Sequence, residues 1–65
     1  MEKRLLTERE VESEFGLRVK TLQRWRFLGE GPVARKLGRS VRYDRKDIES
    51  WILSRPAVGG SVVVQ

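Results

Sequence analysis

The side chains that carry most enzyme chemistry are missing from this 65-residue sequence, which contains no cysteine and no histidine. That removes the thiolate nucleophile, the imidazole base, the disulfide and the usual nitrogen–sulfur zinc site. Paired glutamates remain near the N-terminus, but so short a chain has no room for a pocket that excludes water. No enzymatic activity and no cofactor are therefore expected. What remains is the chemistry of hydrogen-bond donors and positive charge, supplied by fourteen lysines and arginines against nine acids, a net charge of +5. The charge is unevenly spread: residues 1–17 sum to −2, residues 18–46 to +8 and residues 47–65 to −1. One contiguous stretch thus carries the footprint suited to a polyanion.

Two groups of donors stand out within it. Lys20, Gln23 and Arg24 recur at three- and four-residue spacing, which brings them to one face of a helix. Their amine, amide and guanidinium groups can read base edges, and a helix of about ten residues is ~15 Å long and fits a major groove ~12 Å wide. Arg18 and Thr21 fall at its first turn, near amides able to bind phosphate. The second group, Arg35, Lys36, Arg39 and Arg42, surrounds a turn that has almost no core to serve. Beside the helix it would act as a wing, with Arg39 in the minor groove or on phosphate and Arg35, Lys36 and Arg42 on the backbone.

The elements that must position these groups are legible. Thr7 and Glu10 have capping-box spacing, so a first helix starts at Glu8, turns Val11 and Phe15 to one face and stops at Gly16. Gly16-Leu17-Arg18 is the turn of a helix-turn-helix, and a second helix runs from Val19 to Leu28 with Leu22 and Trp25 inward. Gly29 ends it, and Gly29 to Pro32 form a loop. Val33 to Leu37 and Ser40 to Tyr43 read as a two-stranded hairpin around Gly38-Arg39, with Val41 and Tyr43 on one face. Asp44 and Asp47 repeat the cap spacing before a third helix carrying Ile48, Trp51 and Ile52 and ending near Ser54. Of the aromatic residues Phe15, Trp25, Tyr43 and Trp51, three recur with Val11, Leu22 or Ile48 at core spacing, and all four are expected in the core. Phe27 shares the side of Lys20, Gln23 and Arg24, where it could pack under the wing, contact a thymine methyl or meet a second protein.

The fold expected is α+β and mostly helical, a winged helix-turn-helix over residues 1–55, followed by a flexible tail over 56–65. In that tail Val62-Val63-Val64, beyond Gly59-Gly60-Ser61, is a candidate strand for docking. A longest uncharged run of ten residues and no apolar signal core predict a cytoplasmic protein with no membrane partner.

Taken together, Leu5-Leu6-Thr7, Gly16, the Lys20 to Trp25 helix opening, Gly31-Pro32, Lys36-Leu37-Gly38-Arg39, Val41-Arg42-Tyr43 and Ile48, Glu49 and Trp51 make a specific pattern. From Leu5 to Leu53 the chain closely resembles the excisionase and AlpA-like family of small winged-helix proteins, whose fold is similar to the DNA-reading domain of MerR regulators. The resemblance implies binding of double-stranded DNA by a helix in the major groove and a wing in the adjacent minor groove, often at repeated sites with bending. It implies an excisionase, a recombination directionality factor working with a recombinase (integrase) and further copies of itself on DNA. An AlpA-like transcriptional regulator and a phage terminase small-subunit DNA-recognition domain are the alternatives. The family's helix positions fall on Lys20, Thr21 and Arg24, and its wing positions on Arg39 and Arg42. Arg18 departs from the pattern, since relatives commonly carry a small capping residue there. From a different class, an RNA-binding module would account for the charge but not for a wing beside a groove-sized helix.

Overall fold

The structure, a computed structural model, describes residues 3–59. Its elements are β1 (Leu5–Leu6), α1 (Glu8–Phe15), α2 (Val19–Leu28), β2 (Arg35–Leu37), β3 (Ser40–Asp44) and α3 (Arg45–Leu53). Three helices thus pack with a small antiparallel sheet of strand order β1-β3-β2, the architecture of a winged helix-turn-helix.

Local chemistry explains the helix boundaries. The Glu10 amide donates to Thr7 Oγ1 at 3.1 Å while the Thr7 amide donates to Glu10 Oε1 at 2.9 Å, so the box that opens α1 is closed from both sides. Gly16 ends α1 in the left-handed region at φ 75°, and its amide returns to the Glu12 carbonyl at 2.9 Å. The second box is not closed. Asp44 caps α3 by accepting from the Lys46 amide at 3.0 Å, but Asp47, one methylene shorter than glutamate, does not reach back to the cap. Its carboxylate lies 3.5 Å from Arg35 instead.

The sheet differs from the expected two-stranded hairpin by one strand. Leu5 and Leu6 pair with Asp44 and Tyr43, on the opposite edge of β3 from β2. Two residues are too few to show a period-two pattern, which is why β1 is silent in the sequence. The first hairpin strand is also shorter than Val33–Leu37, because only Arg35, Lys36 and Leu37 find partners, in Arg42, Val41 and Ser40.

The core takes one fully buried side chain from each element except β2: Leu6 (β1), Val11 (α1), Leu22 (α2), Tyr43 (β3) and Ile48 (α3). Phe15, Leu17, Trp25, Ala34 and Val41 pack around them, partly exposed. Trp25 and Trp51 are thus flanking rather than central, with ring centroids 5.0 Å apart and planes tilted by 50°. Residues 56–59 carry no helix or strand, and the Val62 to Val64 segment lies outside the described residues. Among the described residues no helix is long and apolar enough to cross a membrane.

Candidate nucleic-acid interface

The inward turn of Leu22 sets the phase of α2 and leaves Lys20, Gln23, Arg24 and Phe27 exposed on its outer side. Arg18 is exposed before the first turn and Thr21 is half-buried within it. Arg18 makes no side-chain cap. A carboxylate from the preceding helix takes that place, since the Val19 amide donates to Glu12 Oε1 at 3.3 Å. The departure from a small capping residue at position 18 is thereby compensated. In the free protein the start of α2 already holds an anion of its own, where the sequence alone suggests an open phosphate site.

The wing stands beside this helix. One cleft is lined by Thr7, Glu8 and Arg9 at the start of α1, Val19 and Gln23 of α2, and Arg39, Ser40, Val41 and Arg42 of the wing. Arg39 sits at the exposed hairpin turn, and Arg42 donates from Nη1 to the Val41 carbonyl at 2.9 Å. Arg35 and Arg42 face each other directly across the β2–β3 ladder, whereas Lys36 lies opposite Val41. Arg35 and Arg42 therefore share one face of the hairpin and Lys36 lies on the other, with Arg39 at the turn between the strands. Two like charges in register disfavour pairing, and the Asp47 carboxylate beside Arg35 offsets this.

Glu8 ties the helix to the sheet. Its carboxylate accepts from Gln23 Nε2 at 3.2 Å, Arg26 Nη2 at 3.1 Å and the Tyr43 hydroxyl at 3.5 Å. Burial, and then the Glu8 charge, push the Tyr43 phenol above its ordinary pKa. Gln23 is thus held by α1.

Three-dimensional pairing also divides the ten bases of residues 18–46. Arg26 pairs with Glu8, Arg35 with Asp47, and Arg45 with Glu14 through both terminal nitrogens, Nη1 and Nη2. Arg45, whose side chain is 13% exposed, joins the end of α1 to the start of α3 and is a structural residue. Among the described residues Arg18, Lys20, Arg24, Lys36, Arg39, Arg42 and Lys46 form no ion pair; Lys46 lies on α3, and the other six make the positive surface of the helix and wing. Arg9 joins them, a residue that sequence reasoning missed. It lies in an acid-rich stretch, and nothing in its local spacing announces that the wing folds over against it.

A family model described as a helix-turn-helix domain matches residues 5–56, four fifths of the chain. No curated protein matches it.

Proposed function

Because the chain belongs to the helix-turn-helix domain family, we propose that it is a sequence-specific, non-enzymatic protein of the cytoplasm that binds double-stranded DNA. In this reading α2 enters the major groove with Lys20, Gln23 and Arg24 toward base edges, while Arg18 and Thr21 face phosphate at its start. Arg39 of the wing reaches the adjacent minor groove, and Arg9, Lys36 and Arg42 hold the backbone. The observation that carries the reading is the shared cleft, which brings Gln23 of α2, Arg39 and Arg42 of the wing and Arg9 of α1 together on one side of the molecule.

The finer role we infer is that of an excisionase, supported by the run of motifs from Leu5 to Leu53. One short helix and one wing read too few base pairs to find a site among ~10⁶ or more competitors. Further copies on adjacent repeats, or a recombinase sharing the site, supply the missing discrimination.

Gel-shift titration against duplex DNA, duplex RNA and single strands tests the binding reading. Preference for duplex DNA is expected, and equal or tighter binding of duplex RNA would overturn it. Adding the protein to an integrase-type recombinase on its attachment sites tests the finer role. Excised product should rise with protein concentration, and an unchanged yield would remove the excisionase role while leaving DNA binding intact.

A further inference from the structure

Phe27 is the one outer-face side chain of α2 whose chemistry the contacts above do not use. It is 89% exposed, which excludes packing under the wing. Single exposed apolar residues are ordinary on protein surfaces, and Leu53 and Val58 are 85% and 94% exposed. Phe27 differs from them in its surroundings. It follows Arg24 by three residues, Gln23 by four and Lys20 by seven, in a helix that contains no acidic residue. Residues so spaced share a face, and helical side chains lean toward the N-terminus, so the ring projects over the turn that carries Gln23 and Arg24. A surface complementary to Phe27 and its neighbours together offers an apolar group flanked by negative charge.

We propose that Phe27 is a specificity-determining residue that packs against thymine 5-methyl groups in the major groove, an inference that rests on the duplex-DNA reading above. The thymine methyl is the apolar group on the major-groove edge of a base pair, and it lies between two phosphate backbones. The cations around Phe27 match those backbones, and the ring matches the methyl. Uracil lacks this group, so the contact also discriminates DNA from RNA.

Duplexes selected by the wild-type protein from a random library provide the test, with single thymines replaced by deoxyuridine so that one methyl is removed and nothing else. Phe27→Ala should melt as the wild type does, because the ring is exposed. At one or two thymines, deoxyuridine should weaken wild-type binding about fourfold per methyl and leave Phe27→Ala unaffected. Phe27→Leu should retain most of the discrimination. Equal affinity of Phe27→Ala and wild type for the selected site would overturn the proposal, as would losses from the two changes that simply add. Normal DNA binding by Phe27→Ala with loss of a partner protein would overturn it too, assigning the ring to a protein contact. Failure of the wild type to select any duplex would instead defeat the DNA reading, and this inference with it.

Discussion

Arginines of one type have different work here, and their partners decide which. Arg24 is exposed and makes no ion pair with a described residue, so Arg24→Ala should cost ~1–3 kcal/mol at a selected site and much less on random DNA. Binding titrations on both check this, and equal losses would make Arg24 a phosphate contact. Arg35 is already engaged by Asp47 at 3.5 Å, whereas Arg39 at the hairpin turn makes no ion pair with a described residue. Arg39→Ala should therefore lower the salt dependence of affinity by about one counterion, and Arg35→Ala by less. Glu8 has the opposite sign but belongs to the same surface. Its hydrogen bonds to Gln23, Arg26 and Tyr43 hold α2 at its angle to the sheet.

The elements are placed by a few contacts between them, and the loop after α2 shows how narrow the tolerance is. Gly31 has φ 79°, and a Cβ added there would meet Trp25 Cε3 at 2.8 Å and Cβ at 2.9 Å. The left-handed backbone and the close ring both exclude a side chain. Gly31→Ala should destabilise the fold by ~1–3 kcal/mol, read as a lower Tm, and should disturb the Trp25–Trp51 pair, read in near-ultraviolet circular dichroism. The α1–α2 unit is held in a different way, by Glu12 reaching the Val19 amide and by Glu8 accepting from Gln23 and Arg26, while Glu14 ties α1 to Arg45 of α3. Helices this short are marginal by propensity, so such cross-element bonds and the buried face fix their direction.

The five fully buried side chains Leu6, Val11, Leu22, Tyr43 and Ile48 are a small core for the described residues, and a domain of this size is stable by only ~3–5 kcal/mol. Ile48→Ala, at a site with no exposure, should cost ~2–5 kcal/mol and leave much of the chain unfolded by circular dichroism. Stability should also depend on acid pH. Glu10 is held below its ordinary pKa by the Thr7 amide and then Lys3, Glu14 by Arg45, and Asp44 by the Lys46 amide and then Arg4. In each case the folded state favours the charged carboxylate, so the unfolded state binds more protons as the solution is acidified. The stabilisation is complete above the unfolded values near 4.5 and 3.8 and is lost as pH falls through the lower folded values. Thermal melts should show Tm falling below pH ~5, and Glu14→Gln should both lower Tm at neutral pH and flatten that fall. Binding by the intact surface should weaken steeply with salt, with a log–log slope near −4 to −5 if about five phosphates are contacted. A slope near zero would remove the electrostatic basis of the proposed function.

The sequence by itself determined the helices, the glycine stops, the hairpin turn and the identity of the outer face of α2. Each rests on interactions between residues a few positions apart: Thr7 with Glu10, Gly16 with Glu12, and Lys20 with Gln23 and Arg24. Periodicity also shows that Tyr43 and Ile48 face inward. Tertiary structure alone decided that Leu5–Leu6 pairs with β3, that Arg9 joins the wing, and that Arg26, Arg35 and Arg45 are spent on Glu8, Asp47 and Glu14. These partners lie 12 to 39 positions apart in the chain. Charge summed along a sequence cannot anticipate such pairings, because neutralisation depends on distance in space, and folding sets that distance.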